Sequence, residues 1–291
     1  MATILHTSSG KTAEGSFNEK LAMKLLWLFS WPFKLIEFRG YWRLARPVLK
    51  LFGVTQRQWL VLPSGVKFNV DMADPYWNRL INPCFEYEPE LHFVFEQLKA
   101  KDYTFIDCGA NMGHWGIFSA SYVYGAKPVI AVEPLKENFA VMKENFIKNK
   151  FEAKLLNRAI SDTADQERTL YKTGGHASVS LVARSEDSFA HQEKVLTTTL
   201  DEMIKNIPQD AKQFLLKLDV EGVEIEALKG GAEFLKTKPI IFYEDHAEDN
   251  TSKVTDYVMN ELGYQIIYVT DDKKLISIKS VEQANQIKVD S

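Results

Sequence analysis

Hydrophobic positions recur along this chain with two different periods, and the changes between them outline its architecture. In residues 59–71, WLVLPSGVKFNVD, Leu60 and Leu62 alternate, Pro63-Ser64-Gly65 interrupts, and Val66, Phe68 and Val70 alternate again, which predicts a hairpin. Residues 88–100 carry Leu91, Phe93, Val94, Phe95 and Leu98, the apolar side of a helix. From residue 103 short apolar runs alternate with helical stretches. The runs predict strands over 104–108, 128–132, 154–159, 213–218 and 239–243, and helices over 113–124, 135–149, 222–236 and 252–262. Two late strands, 264–270 and 273–279, flank Asp271-Asp272 as a second hairpin. Strand–helix alternation implies an α/β fold with a largely parallel sheet and right-handed crossovers, to which the late hairpin would add one antiparallel strand.

Two regions break this rhythm. Residues 1–18 are rich in Ser, Thr and Gly and read as a disordered leader, and 19–58 reads as a basic, aromatic helical extension ahead of a main domain at 59–291. Within the extension Leu21, Leu25, Leu26, Leu28 and Phe29 are apolar, Pro32 should kink the helix, and Arg39, Arg43, Arg46 and Lys50 recur at helical spacing among Tyr41, Trp42, Leu44 and Leu51. Such a helix suits peripheral contact with an anionic membrane surface, or packing on the main domain or on a second subunit in a homo-oligomer. It is no membrane span, because Lys24, Pro32 and Lys34 interrupt Leu21 to Ile36 and a span needs ~20 nearly continuous apolar residues. The second break is an insert at 163–200, with strand-like runs at 168–173 and 194–200 around the small and polar residues of 174–193, a composition that suits a lid over an acceptor.

Charge and cysteine content narrow the choices. Residues 1–60 hold nine Lys or Arg against three Asp or Glu, so the remaining chain carries ten net negative charges within a total of −4. An acidic main body argues against a nucleic-acid partner, which needs a basic stripe to neutralise phosphates. Cys84 and Cys108 have no metal-binding spacing and read as reduced thiols, which with no fitting secretory signal points to a cytoplasmic protein, membrane-peripheral if the extension meets lipid.

The chemistry concentrates at predicted strand ends. In TFIDCGANMGHWG an apolar strand ends at Asp107, then Gly109, Asn111 and Gly113 lead into a helix whose first N–H groups are free. In VIAVEP a second strand ends in Glu133-Pro134, 24 residues after Gly109, where a carboxylate can accept both hydroxyls of a ribose. Asn111 stands where a dinucleotide fold wants glycine, and Asp107 would repel a pyrophosphate but suits the ammonium of S-adenosylmethionine. LLKLDVEGVEIEALKGG delivers Asp219, then Glu221, to the same edge; Glu224 favours a helix start and Glu226 reads as solvated. PIIFYEDH ends a further strand with Glu244, Asp245 and His246.

Together these blocks resemble the FkbM-type methyltransferase family. The match rests on FIDCGANMG, AVEP, the V-x-T-T-x-L-D-E run at 195–202, LKLDVEGVEIEALKG and the lead-in Tyr87-Glu88-Pro89-Glu90, and covers roughly residues 75–245. The resemblance implies a class I, Rossmann-like, seven-stranded, mostly parallel sheet with one antiparallel strand. It implies S-adenosylmethionine as cofactor and O-methylation of a sugar, glycan or natural product, with cell-surface polysaccharide or glycolipid among the acceptors. By position it assigns Asp107, Gly109, Asn111 and Gly113 to the methionine end of the cofactor, with Glu88 a further cofactor-binding residue. Glu133 and Pro134 fall to the ribose, Ala159-Ile160 with Ser161-Asp162 to the adenine, and Asp219 and Glu221 to the methyl group. A sugar hydroxyl is a poor nucleophile, so a general base is expected among Asp219, Glu244, His246 and His176. The alternative is a divalent cation on Asp219, Glu244 and Asp245. A NAD-dependent Rossmann enzyme and a non-catalytic cofactor-binding module are the competing readings.

Overall fold

The computed structural model describes residues 4–6, 11–12, 16–54, 57–62, 64–172, 179–181, 192–205, 207, 213–245, 251–270 and 273–290. Within the segment expected to be a disordered leader, strands β1 (Ile4–His6) and β2 (Lys11–Thr12) pair with each other, and β1 runs parallel to β3 (Gln58–Val61). The helices α1 (Phe17–Phe33) and α2 (Tyr41–Leu51) follow, joined by a 3-10 turn at Lys34–Ile36. Ser16 and Glu19 form a reciprocal capping box at the start of α1. Pro32 lies in the last turn of α1 and Pro47 inside α2. Met23, Leu26, Tyr41, Ala45 and Leu49 are buried in the main core, and the Tyr41 hydroxyl donates to the Leu26 carbonyl at 2.6 Å. No helix among the described residues is long and apolar enough to cross a membrane.

The first predicted hairpin forms as β3 and β4 (Lys67–Val70), antiparallel, with Leu60 opposite Phe68. After α3 (Pro89–Leu98), strand β5 (Thr104–Cys108) enters a parallel sheet; α4 (His114–Ser119), β6 (Val129–Val132), α5 (Lys136–Asn149) and β7 (Lys154–Leu156) build one half outward. The chain then leaves the sheet. The two strand-like runs expected in the insert form as β9 (Glu167–Lys172) and β11 (Gln192–Thr198), within a small sheet in the order β10–β9–β11–β8 that also includes β8 (Ala159–Ile160) and β10 (Val179–Ser180). Most of 174–193 lies outside the described residues. Helix α6 (Leu200–Ile204) leads back to β12 (Phe214–Leu218), which returns to the other side of β5 and is followed by α7 (Glu224–Lys229), α8 (Ala232–Lys236) and β13 (Ile240–Tyr243). The order β13–β12–β5–β6–β7 therefore reverses between β5 and β12, where open α/β sheets bind ligands beyond the strands' carboxyl ends.

Three expectations are corrected. The helix predicted over 222–236 breaks at Gly230-Gly231, because a side chain at Gly230 would lie 2.3 Å from the Ser161 carbonyl oxygen. The strand predicted over 154–159 divides into β7 and β8, which join different sheets. The described residues form five parallel strands rather than seven with one antiparallel. The late hairpin, β14 (Ile266–Val269) and β15 (Leu275–Ile278), follows α9 (Lys253–Asp256) and a π turn, pairs only with itself among the described strands, and precedes α10 (Val281–Asp290). Two strands so close in sequence satisfy each other's backbone groups with little loop closure entropy, whereas joining β13 would bring no shorter connection.

Candidate functional site

The two-residue pleat of β5 and β12 sets the site. Ile106, Cys108, Leu216 and Leu218 face one core and Phe105 and Leu215 the other. Asp107, Lys217 and Asp219 continue the second face at the strand ends, with Lys217 directly opposite Asp107. Gly109 then turns at φ +81°, pressed so closely on β12 that a Cβ would lie 1.8 Å from the Asp219 carbonyl oxygen. Gly109→Ala is therefore expected to part the strand ends, cost about 2–4 kcal/mol of stability, and weaken cofactor binding at least ~100-fold, the equivalent of a ~2.7 kcal/mol loss. Denaturant melts with calorimetry check both. Asn111 also has positive φ. Gly113 does not line the cleft as expected: a Cβ there would meet Met142 Cγ at 2.7 Å, so this glycine seats α4 on α5.

Glu133, at the end of β6, is buried and holds that loop. Its Oε2 accepts the Asn111 N–H at 2.8 Å and its Oε1 accepts the Leu135 N–H at 3.0 Å, while Asn157 Nδ2 donates to the Glu133 and Pro134 carbonyls. Burial pushes the Glu133 carboxyl up to about 7, against the pull of the two N–H bonds. Asp107 is 1% exposed, and neither of its oxygens has a close hydrogen-bond partner within the protein, the Gly116 N–H exerting only a weak pull. Burial pushes it up to about 7; the Lys217 charge opposes the shift, and Glu88 and Asp219 reinforce it.

Lys217 is the residue sequence reasoning missed. It is buried, donates to Asp219 Oδ2 at 2.8 Å, and lies 3.9 Å from Glu88 Oε2. Burial disfavours its charge, but Glu88, Asp219 and Asp107 outweigh burial and hold it firmly protonated. Glu88, ahead of α3, is anchored from the other side by the Trp115 indole N–H at 2.6 Å. The available signal was a lone Lys in the apolar run FLLKLD, two residues before Asp219 and so on the same strand face.

Beside Asp219, Glu244 leaves the neighbouring strand end with its backbone N–H bonded to the Leu218 carbonyl. Burial of its carboxyl in the cleft, and the Asp219 carboxylate to which it hydrogen-bonds, raise Glu244 above the ordinary carboxylate range. Asp245 also lines the cleft, and its Oδ2 accepts from the Thr255 N–H at 3.1 Å and the Thr255 hydroxyl at 2.7 Å. Asp219, Glu244 and Asp245 are thus not gathered into one ligand set, and no group of three or more His, Cys, Asp or Glu among the described residues could hold a metal ion. His176 and His246 lie outside the described residues.

Other acidic residues of this region are structural. Glu224 Oε1 accepts the Val220 and Gly222 N–H groups and so shapes the turn bearing Glu221. Glu226, expected to be solvated, instead accepts the Ser161 hydroxyl at 2.5 Å and Arg168 at 3.1 Å, tying α7 to the small sheet. His114 is buried and stacked on Phe118 with its ring edge-on to Tyr87, and burial pulls it well below the ordinary histidine range.

Asp107, Glu133, Lys217, Asp219 and Glu244 border one cleft of about 1510 Å³. Of the residues expected at a cofactor, Glu88, Asp107, Gly109, Asn111, Glu133, Pro134, Ala159, Ile160, Asp219 and Glu221 all line it, as does Glu244. Tyr76 and Tyr87 stand on the wall beside Glu88, ring edge to face, with centroids 5.6 Å apart.

The model of the Methyltransferase FkbM domain matches residues 107–266. No curated protein matches the chain. Among solved structures, the chain is similar to the methyltransferase FkbM from Methylobacillus flagellatus KT at 18% identity and a TM-score of 0.38, over 57% of this chain and 39% of that one. It is similar to the SAM dependent methyltransferase from Agrobacterium tumefaciens at 11% identity and a TM-score of 0.39, over 76% and 68%. It is also similar to P. horikoshii TYW2 in complex with MeSAdo, at 20% identity and a TM-score of 0.28, over 42% and 50%. The chain thus spans about two fifths of the first of these proteins and half of the third.

Proposed function

Because the chain belongs to the FkbM methyltransferase family, we propose that it is an S-adenosylmethionine-dependent O-methyltransferase acting on a hydroxyl of a sugar or glycan. The observation that carries the cofactor reading is the buried Asp107 carboxyl beside the Gly109 turn, which lacks a close hydrogen-bond partner within the protein. A buried carboxylate left so is costly, and an ammonium would satisfy it. S-adenosylmethionine brings that ammonium, and when bound it supplies an electrophilic methyl group on a sulfonium, already a good leaving group. Glu133, set by its two backbone N–H bonds, offers its remaining lone pairs to ribose hydroxyls. Buried Ala159 and Ile160 supply an apolar wall for a flat base.

The residues around the acceptor side supply alignment and a base. Lys217 donates to Asp219, and burial together with Asp219 raises Glu244, which makes Glu244 a base of near-neutral affinity for protons. Glu244 takes the hydroxyl proton as the oxygen attacks the methyl carbon. Tyr76 and Tyr87 on the cleft wall suit the apolar C–H faces of a sugar ring. Family membership sets aside the nicotinamide reading; turnover separates an enzyme from a non-catalytic binding module.

The test pairs calorimetric titration with S-adenosylmethionine and its demethylated product with transfer of labelled methyl to glycan acceptors. No measurable affinity for either would sink the cofactor reading. Methylation of a non-sugar hydroxyl with none of glycans would instead move the acceptor to another natural product. Binding also has a predicted pH dependence. Asp107 and Glu133, both raised to about 7, must be ionised to receive an ammonium and ribose hydroxyls. Affinity is therefore full above pH 7 and expected to fall by about tenfold per pH unit per carboxyl below it. Titrations at pH 5.5 and 8, in buffers of different ionisation enthalpy, should show protons released on binding at the lower pH; identical affinity at both would refute this.

A further inference from the structure

We infer that the α1–α2 hairpin is a docking surface for an anionic lipid bilayer. This proposal stands apart from the methyltransferase reading. The buried residues of these helices face the core, but the end of α1 and the turn after it leave Leu28, Phe29, Trp31, Leu35 and Ile36 open to solvent, Leu35 at 90% exposure. Phe38, Tyr41 and Ala45 anchor the hairpin to the core, so these apolar side chains project from a fixed base rather than from a frayed end. Exposed apolar side chains clustered in this way mark interaction sites.

Charge decides the occupant. Residues 20–51 hold seven Lys or Arg against one acidic residue, Glu37, while the chain beyond residue 60 carries ten net negative charges. Lys24, Lys34, Arg39, Arg43, Arg46 and Lys50 are all exposed. Arg43, Arg46 and Lys50 recur at spacings of three and four on α2, so they share one helix face. The guanidiniums of Arg43 and Arg46 lie 5.8 and 5.6 Å from the Trp42 ring, an aromatic–cationic grouping of the kind that settles at headgroup depth. An apolar partner protein would leave these cations unmatched. An anionic bilayer matches both features, taking the apolar side chains into its acyl boundary and the cations among its headgroups.

The experiment is co-sedimentation of the full chain with vesicles of phosphatidylcholine alone and of phosphatidylcholine with about 30% phosphatidylserine, a content giving a strongly negative surface. Binding to the anionic vesicles, at least tenfold stronger than to the neutral ones and released by 0.5 M salt, is expected. Arg43→Gln with Arg46→Gln should lower the partition coefficient by roughly 30-fold. Leu35→Glu with Ile36→Glu should lower it at least as much. All four residues are exposed, so far-UV circular dichroism and melting should match the parent. Equal binding to both vesicle types, no binding to either, or variants that bind like the parent would overturn the proposal. So would a dimer in sedimentation velocity that Leu35→Glu dissolves, because the apolar cluster would then belong to a second copy of the chain.

Discussion

Replacing Lys217 with Met is expected to lower stability by about 3–5 kcal/mol at pH 8, the usual cost of removing one partner from a buried ionic group. Met keeps the length and apolar stem of the side chain, so little of the loss would come from packing. What is lost is a buried cation that bonds to Asp219 and offsets the burial of Asp107. Without it, Asp107 would rise further above the proton affinity it has in the unfolded chain. A carboxyl raised on folding binds more protons folded than unfolded, so the folded state loses stability as pH climbs from the unfolded value, about 4, to the folded one. The deficit of Lys217→Met should therefore be largest at pH 8 and shrink at pH 5, where this carboxyl can take a proton. Urea unfolding of parent and variant at the two pH values checks this; a deficit independent of pH would mean that Lys217 acts through packing alone.

Glu244→Gln should reduce kcat by about 10²- to 10⁴-fold, the contribution typical of a positioned general base. Its affinity for the demethylated cofactor should stay within a few-fold of the parent, because the proposed role of Glu244 is toward the acceptor and not the cofactor. Turnover of the parent should rise with pH as the Asp219–Glu244 pair loses its shared proton, since the base works only when ionised. Asp219→Asn removes the charge that raises Glu244 and should shift that rise toward acid pH. Pre-steady-state methyl transfer at several pH values measures both effects. A Glu244→Gln enzyme with normal chemistry would pass the base to a residue outside the described segments, His246 first.

The sequence reading located elements better than it located partners. The strands at 104–108 and 214–218 were legible because a short apolar run closed by Asp107 or Asp219, then a turn, forms a local pattern. Glu133 was legible for the same reason, standing at a fixed distance from a glycine turn. Gly113 has a packing reason that its motif did not reveal: a Cβ there would collide with Met142 and Phe146, about thirty residues away. The late hairpin was recognised as a hairpin and then assigned to the wrong sheet, since alternation says which residues face inward and not which edge receives them.

What the chain alone settled was therefore the set of short-range features: periodicity, turn residues and the acids that close the central strands, all governed by backbone geometry over a few residues. What the tertiary structure decided was which charges meet. Glu88 reaches the site across the α3–α4 packing, and Lys217 meets Asp107 through pairing between strands more than a hundred residues apart. Their proton affinities follow from that burial and proximity, because the free energy of a charge depends on the medium and the neighbours that folding assembles around it.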